Sequence, residues 1–398
     1  MNYKMVLFTM GRVVLLEAAL LVLPMAVSLL YGEKCALSFA LTILVALAVG
    51  FLLTKLCRGE HGSSSIKDGF MIVALTWIML SAIGALPFVF SREIPLYVDA
   101  FFETVSGFTT TGATILPDVE ALSRGMLFWR SFTHWIGGMG ILVFVVMLLK
   151  TPDRSINILK AEMPGPTMDK LAPKSKDTAR ILYLLYMALT VLEIVFLLLG
   201  GMSLFDSMVH ALSTAGTGGF GAYNASAANF SPYIQWVLTA FMFLFGVNFN
   251  LYYLLLLKRG TEFLRNTELK VYVGIVLVSV AAITIDILPL YQSFSVSLRQ
   301  AAFQVTSIMS TTGFITADFT VWSPLSKMIL LMLMFVGGCA GSTAGGLKVS
   351  RLTILCKMIR RELRHTLRPR MVDVIKVDGH QLSEQTAHSI VVYFALYM

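Results

Sequence analysis

The chain has 398 residues, of which 57% are hydrophobic and 14% charged, with a formal net charge of +8 and a mean hydropathy of +0.77. Soluble domains carry about 25% charged residues, so this composition excludes a typical soluble globular protein. The chain also repeats apolar runs of about 20 residues, the length that a helix needs to cross a hydrocarbon core. We therefore predict an all-α protein that passes through the membrane many times.

Apolar runs predict the positions of the membrane spans in chain order. The predicted spans are 5–31, 36–56, 68–90, 126–149, 181–200, 233–257, 270–289, 325–356 and one that begins near residue 386. The first run is too long for the apolar region of a signal peptide, and no small-residue cleavage site follows it. We therefore predict that it is retained as a span.

Basic residues fall mainly on one side of these spans. They form four clusters, within Lys55–Lys67, Lys150–Arg180, Lys258–Lys270 and Lys348–Lys376. Such an asymmetry is the positive-inside pattern, which places the clusters and the N-terminus in the cytoplasm. A role as topology determinants accounts for all four clusters, and docking of a cytosolic partner is a further alternative for Arg360–Arg370.

Three short stretches rich in glycine and threonine do not resemble ordinary turns. We call them the first, second and third Gly/Thr loops: "TTTGAT" (Thr109–Thr114), "GTGGF" (Gly216–Phe220) and "STTGF" (Ser310–Phe314). Each follows a segment of about 10–12 apolar residues, which is too short to cross the membrane. Full spans flank each unit, so span, short helix, loop and span form a repeat. Aligning the Thr-Gly pairs makes Gly112, Gly218 and Gly313 equivalent.

Internal repeats with broken helices place the functional site of a membrane protein at the repeat interface. Non-helical backbone at membrane depth is tolerated only where it is buried in protein or lines a watery cavity. Glycine adopts positive φ at little steric cost, and rings of backbone carbonyls can replace the hydration shell of an alkali cation. The loops therefore predict a cation selectivity filter. The alternative is that they are re-entrant turns that only pack.

The motifs around these loops resemble the Trk/Ktr/HKT superfamily of potassium transporters over essentially the whole chain. They are "SGFTTTGAT" (106–114), "WRSFTHWIGGMGI" (129–141), "STAGTGGF" (213–220), "STTGF" (310–314) and "GGCAGSTAGGLKVSR" (337–351). The resemblance implies membrane–pore-helix–membrane repeats in a pseudo-fourfold arrangement, each with one filter glycine. Two additional N-terminal spans indicate the TrkH branch.

The resemblance also implies a division of the chain. It comprises an N-terminal pair of spans (1–60), three complete repeats (61–150, 175–260 and 268–356), a basic cytoplasmic linker (357–385) and the start of a fourth repeat (386–398). Because the family has a fourth filter, we expect this sequence to be a C-terminally incomplete fragment.

The family's potassium ligands fall on three residues of each Gly/Thr loop. These residues are Thr110, Thr111, Gly112, Gly216, Thr217, Gly218, Thr311, Thr312 and Gly313. In plant members, serine at the first filter glycine accompanies sodium transport, so Gly112 favours potassium. The alternatives are a less selective Na⁺/K⁺ pathway of the HKT kind and, in another class, a membrane scaffold or receptor that does not transport.

A second candidate site lies within the predicted span 325–356. Five of the ten residues in Gly337–Gly346 are glycine, and each costs a helix about 1 kcal/mol relative to alanine. An unwound loop is one interpretation. A helix-packing face is the other, since Gly337, Gly341 and Gly345 are spaced four apart. The family has a pore-blocking loop here, which implies gate residues at Gly337, Gly338, Cys339, Ala340, Gly341, Ser342, Thr343, Ala344, Gly345, Gly346 and Lys348.

Polar residues near the loops have supporting roles in this interpretation. We expect Glu103 and His210, in the short helices, to position the filter through hydrogen bonds. Arg130 and His134 open the span after the first Gly/Thr loop and are predicted to brace it.

The resemblance implies a multi-pass protein of the bacterial inner membrane that transports K⁺ and binds no cofactor. It also implies a homodimer in membrane lipid and a cytosolic, nucleotide-binding regulatory subunit of the TrkA type, with no nucleic acid as partner. The chain has no nucleotide-binding fingerprint, zinc signature or nucleophile motif, so the sequence does not indicate an enzyme.

Overall fold

The computed structural model describes residues 3–57, 66–138, 140, 176–368 and 374–398. The chain forms two compact units, Met1–Ala227 and Ala228–Met398. In the described part of the first unit the helices are α1 (Tyr3–Leu20), α2 (Val22–Leu30), α3 (Cys35–Leu56), α4 (Ile66–Gly84), α5 (Leu86–Ser91), α6 (Tyr97–Phe108), α7 (Arg124–Gly138), α8 (Lys176–Leu199) and α9 (Leu204–Gly216).

The second unit continues the helical architecture. Its helices are α10 (Pro232–Phe245), α11 (Phe249–Leu256), α12 (Gly260–Arg265), α13 (Thr267–Tyr291), α14 (Phe294–Met309), α15 (Pro324–Val336), α16 (Val349–Leu367) and α17 (Glu384–Tyr397). A 3₁₀ turn lies at Phe319–Val321. Between α16 and α17, β1 (Lys376–Val377) pairs antiparallel with β2 (His380–Gln381) in a minimal hairpin.

Five helical segments in the described ranges are long and apolar enough to cross a membrane. They are Tyr3–Leu30, Cys35–Leu56, Lys67–Ser91, Arg180–Leu199 and Thr267–Tyr291. Their outward faces expose large apolar side chains, including Val278 at 70% and Ile285 at 72%. These segments coincide with the predicted spans 5–31, 36–56, 68–90, 181–200 and 270–289. Aliphatic faces of this kind suit contact with lipid rather than water.

The predicted span 233–257 is wrong as one continuous helix. α10 and α11 are bent by 89° at a break between Phe245 and Phe249. Gly246 and Asn248 lie in the break, and the Asn248 side chain caps α11 by accepting a hydrogen bond from the Asn250 amide at 2.9 Å. A glycine and a capping asparagine within an apolar run therefore end one helix and start another.

The predicted spans 126–149 and 325–356 also differ from the observed helices. The described part of the first is α7 together with Gly140, and residues 141–150 and most of the basic cluster Lys150–Arg180 lie outside the described residues. The second consists of α15, an irregular segment and α16.

In the first unit, α1 packs along α3 through small residues. A Cβ built on Gly11 would come within 2.9 Å of the Leu53 Cβ, and one built on Gly50 would contact Leu15 at 2.7 Å. α1 and α3 therefore approach each other more closely than larger residues at Gly11 and Gly50 would allow, as is common for helices packed in membranes.

In the second unit, α13 packs against α14 and α15, and α10 packs against α14. The apolar core between these helices includes Tyr272, Ile283, Val305 and Leu330, each no more than 1% exposed. The short helix α14 is therefore held on two sides, which fixes the segment that leads into the third Gly/Thr loop.

Three short helices precede the Gly/Thr loops, as predicted. They are α6 with 12 residues, α9 with 13 and α14 with 16. Ser203 caps α9 by accepting a hydrogen bond from the Asp206 amide at 3.1 Å. At about 1.5 Å per residue each helix is shorter than the hydrocarbon core of a bilayer. Each Gly/Thr loop begins at the C-terminal end of one of these helices.

Candidate functional site

The three Gly/Thr loops leave their helices in the same backbone conformation. Each has a left-handed threonine followed two residues later by a glycine with positive φ: Thr110 (54°) and Gly112 (75°), Thr217 (54°) and Gly219 (85°), and Thr311 (59°) and Gly313 (86°). A β-branched residue rarely adopts the left-handed region, so three occurrences at one position indicate a conformation imposed by the surrounding fold.

Each loop also folds back onto a serine of its own helix. The amides of Thr111, Gly218 and Thr312 donate to the carbonyls of Ser106, Ser213 and Ser307 at 2.9, 3.0 and 2.9 Å. The sequence-based equivalence of Gly218 with Gly112 and Gly313 is therefore wrong by one residue. Gly218 occupies the position of Thr111 and Thr312, and the equivalent glycine is Gly219. The serine six residues before each glycine is the sequence signal for this register.

Hydroxyl pairs reinforce the first and third loops at matching positions. The hydroxyl groups of Thr109 and Thr111 lie 2.8 Å apart, and those of Ser310 and Thr312 lie 2.7 Å apart. The second loop has Gly216 and Gly218 at these positions, and Gly216 is the last residue of α9. The hydroxyls of the two pairs thus hold the loops in shape, which leaves backbone carbonyls as the common oxygen groups of the three loops.

The first and second loops approach each other closely in the first unit. A Cβ built on Gly112 would overlap the carbonyl oxygen of Gly218, and one on Gly137 would overlap the carbonyl of Phe108. A Cβ on Gly138 would lie 2.6 Å from the Gly216 Cα. The glycines of α7 therefore let this helix pack directly against both loops, where any side chain would force them apart.

His134 fills the space behind the second loop. Its Nδ1 shares a 3.0 Å hydrogen bond with the Ser213 hydroxyl, and its ring stacks on Phe220 with centroids 4.1 Å apart. A Cβ on Gly218 would overlap the imidazole. His134 thus packs behind the second loop, and its role as a brace for the first loop stays a prediction.

A buried ion pair between Glu103 of α6 and Arg130 of α7 lies beside the first and second loops. Arg130 Nε and Glu103 Oε1 are 2.7 Å apart, and their side chains are 2% and 0% exposed. Glu103 also accepts hydrogen bonds from the Thr114 hydroxyl and the Ile115 amide, both at 3.0 Å. The Arg130 guanidinium lies 4.1 Å from the centroid of the Phe220 ring. The ion pair therefore supports the first loop through Glu103, and Arg130 also contacts Phe220 of the second loop.

The third loop has a neutral brace in the corresponding place. The Thr316 hydroxyl donates to Gln300 Oε1 at 2.5 Å and accepts from Gln304 Nε2 at 3.4 Å. Ser307 donates its hydroxyl to the Phe314 carbonyl at 2.7 Å. Gln304 stands three residues before its serine, as Glu103 does in the first repeat. A buried polar residue at this helical position therefore supports the loop exit with or without charge.

His210 takes the same position in the second repeat. Its Nδ1 hydrogen-bonds with the Asp206 carbonyl at 2.8 Å, and the Asp206 carboxylate accepts from the Tyr223 hydroxyl at 3.0 Å. Partial burial raises the pKa of the Tyr223 phenol, and its hydrogen bond to Asp206 raises it further. This chain of contacts joins the start of α9 to the segment after the second loop.

The segment Gly337–Lys348 is an unwound loop, which we call the intramembrane loop. Gly337, Gly341, Gly346 and Lys348 have positive φ of 74°, 71°, 81° and 73°. The helix-packing alternative for the glycines is therefore wrong, because no helix runs through them. The loop reaches the third Gly/Thr loop, where the Gly345 amide donates to the Thr311 hydroxyl at 2.7 Å.

The intramembrane loop is bound to the break between α10 and α11. The Cys339 amide donates to the Gly246 carbonyl at 2.9 Å, and the Phe249 amide donates to the Gly341 carbonyl at 3.0 Å. Each irregular segment therefore supplies hydrogen-bond partners for backbone groups that have none within a helix. The break in the predicted span 233–257, overlooked in the sequence, is a support for this loop.

The sequence and the fold of this chain are similar to those of known transport proteins. Residues 36–398 match the TrkH family, described as a cation transport protein. The Trk system potassium uptake protein TrkH of Salmonella typhimurium is 38% identical, and that of Escherichia coli K12 is 37% identical. Both alignments cover 100% of this chain and 84% of the relative. The crystal structure of the potassium transporter TrkH from Vibrio parahaemolyticus superposes with a TM-score of 0.87 at 32% identity, covering 99% of this chain and 83% of that one.

Proposed function

This chain belongs to the TrkH family of cation transport proteins, and we propose that it takes up potassium through its three Gly/Thr loops. It is a multi-pass membrane transporter, not an enzyme, and K⁺ is its transported ion. The observation that carries the assignment of the loops is their shared register, in which a left-handed threonine precedes a positive-φ glycine by two residues in all three.

The physical basis is replacement of the ion's water shell by fixed oxygens. A left-handed residue reverses the backbone at the end of a short helix, and the following positive-φ glycine changes the direction of successive carbonyls. Carbonyl rings of this kind coordinate dehydrated alkali cations. The C-terminal end of each short helix adds partial negative charge, which further favours a cation.

We assign the filter to the residues that the backbone register makes equivalent. They are Thr110, Thr111 and Gly112, Thr217, Gly218 and Gly219, and Thr311, Thr312 and Gly313. Gly216 contributes as the helical residue before the second loop. The division of the chain into span–pore-helix–span repeats belongs to the same proposal.

We assign a gate to the intramembrane loop. Its support is the hydrogen bond from Gly345 to Thr311, which puts the loop against a residue of the proposed filter. Ions that pass the third Gly/Thr loop would meet this segment. A gate at this depth controls flux without changing the ligands that select the ion.

The remaining assignments concern orientation and partners. The four basic clusters support an N-terminus in the cytoplasm of a bacterial cell and residence in the inner membrane. Family membership supports a homodimer and regulation by a cytosolic nucleotide-binding subunit of the TrkA type. Pull-down of that subunit with the purified transporter tests the partner, and cysteine labelling from either side of the membrane tests the orientation.

Thr311→Val should raise the basal potassium flux of the purified transporter. Valine keeps the β-branched shape but removes the hydroxyl that accepts the Gly345 amide. A neutral hydrogen bond contributes about 0.5–1.5 kcal/mol, so we expect about a 2- to 10-fold increase. The measurement is K⁺ efflux from proteoliposomes.

The matched control is Thr110→Val, which removes the equivalent hydroxyl from the first loop. This control measures how the loss of a loop hydroxyl affects conduction when the hydrogen bond between Thr311 and Gly345 is left in place. A flux in Thr311→Val no higher than that in Thr110→Val would contradict the contact between gate and filter.

A further inference from the structure

Glu268 is a buried carboxylate at the start of α13 that binds the intramembrane loop and the first turn of the helix that follows it. It is 9% exposed. Its Oε1 accepts one hydrogen bond from the Ala340 amide at 2.7 Å and another from the Ser350 amide at 3.0 Å. A single oxygen atom thus connects the loop to the helix that follows it.

The two donors have different origins, and both need an acceptor. Ala340 lies in irregular backbone, whereas Ser350 lies in the first turn of α16, whose amides have no partner within the helix. A carboxylate at this position is also favoured by the helix dipole. Glu268 therefore satisfies two amides that a displaced loop would leave without this acceptor.

The hairpin between α16 and α17 binds the same end of α13. The Asp378 carboxylate accepts hydrogen bonds from the Thr267 amide at 2.8 Å and from Asn266 Nδ2 at 3.0 Å. The hairpin is also tied to α16, because Lys357 Nζ donates to the Lys376 carbonyl at 2.8 Å. The residue next to Glu268 is thus held by a segment outside the predicted spans.

We propose that Glu268 and Asp378 form a latch that holds the intramembrane loop against the third Gly/Thr loop. Asp378 fixes the N-terminus of α13, Glu268 fixes the loop to that N-terminus, and Gly345 then contacts Thr311. Displacement of the hairpin loosens the latch and frees the loop. Glu268 is a positioning residue, since it acts on the loop and not on the ion. The latch rests on the proposed gating function of the loop.

Cys339 provides a direct measure of loop position that does not depend on ion flux. It lies within the loop and is 0% exposed. Replacing Cys35, Cys57 and Cys356 by serine leaves it as the single thiol of this chain. The rate of its reaction with a water-soluble maleimide then reports how often the loop leaves its site. K⁺ efflux from proteoliposomes of the intact transporter is measured in parallel.

We expect Glu268→Ala to raise both the labelling rate of Cys339 and the basal K⁺ flux by at least about tenfold, because two hydrogen bonds to a charged acceptor are lost. Glu268→Gln keeps an acceptor oxygen without the charge and should cause a smaller rise in both. The latter variant keeps the test decisive if Glu268→Ala does not fold.

Asp378→Asn probes the hairpin with little change in backbone preference. Asp378 has φ 47°, and asparagine tolerates this left-handed region. The substitution removes the charge and one acceptor, so labelling and flux should rise by a few-fold. The control is Glu262→Ala, which removes an exposed carboxylate six residues before Glu268 that pairs with Arg259. It should change neither quantity.

The outcomes separate the latch from the gate. Unchanged Cys339 labelling in both Glu268 variants would overturn the latch, whatever the flux. Faster labelling with unchanged flux would overturn the gating function of the loop and, with it, the latch as a control of transport. Absence of K⁺ flux from the parent protein and every variant would overturn the proposed filter, and labelling would still show whether Glu268 holds the loop.

Discussion

Gly112→Ser should lower the K⁺/Na⁺ permeability ratio of the transporter by about 10- to 100-fold. Gly112 has φ +75°, and a Cβ there would overlap the carbonyl oxygen of Gly218 in the second loop. A side chain in this conformation costs about 1–3 kcal/mol before the clash is counted. Every 1.4 kcal/mol changes an equilibrium by about tenfold. The carbonyls of both loops must move, so the fit to K⁺ is lost. Reversal potentials under K⁺ and Na⁺ gradients measure the ratio.

Gly201→Ser is the matched control for backbone strain. Gly201 has φ +83°, but a Cβ there meets nothing within 4 Å, and the residue follows α8 outside the three loops. Its replacement should reduce stability without altering the permeability ratio. A ratio in Gly112→Ser equal to that of the parent protein would rule out the first loop as part of the selective site.

Arg130→Ala should destabilise the folded transporter by about 3–5 kcal/mol, because it leaves the Glu103 carboxylate buried without its ion-pair partner. The substitution also removes the cation stacked on Phe220. We expect a marked fall in the yield of monodisperse protein and in its unfolding temperature. Size-exclusion chromatography and thermal unfolding followed by tryptophan fluorescence measure these changes.

Two comparisons show whether the buried charge causes this loss. Arg259→Ala breaks an ion pair whose side chains are 56% and 46% exposed, which should cost no more than about 1 kcal/mol. Combining Glu103→Gln with Arg130→Met removes both charges and should recover part of the stability. Gln304, at the equivalent position of the third repeat, shows that a neutral side chain can support such a loop. Equal losses in Arg130→Ala and Arg259→Ala would contradict the buried brace.

Sequence reasoning located the features that depend on composition and spacing. Glycine and threonine after a short apolar segment correctly marked the ends of α6, α9 and α14, because a half-length helix cannot cross the membrane and must end there. The density of glycine in Gly337–Gly346 correctly indicated an unwound segment, although a packing face had the same spacing. Only the observed φ values separate these two interpretations.

Features that depend on contacts between distant residues were not predicted. The predicted register of the second loop was wrong because Gly218 and Gly219 are identical residues. The hydrogen bond from Gly218 to Ser213 and the positive φ of Gly219 distinguish them. The break between α10 and α11 was overlooked because apolar residues flank it on both sides. Glu268 is 72 positions from Ala340 in the chain, so no local pattern connects them.

The most direct test of the filter proposed for the three Gly/Thr loops is K⁺ and Na⁺ flux measured side by side in proteoliposomes of the purified intact transporter. The parent protein should pass K⁺ well above protein-free liposomes and in preference to Na⁺, and this preference should fall in Gly112→Ser. Equal K⁺ and Na⁺ flux in the parent would contradict a selective carbonyl filter and favour the less selective Na⁺/K⁺ pathway of the HKT kind. No flux above protein-free liposomes would contradict transport through these loops altogether.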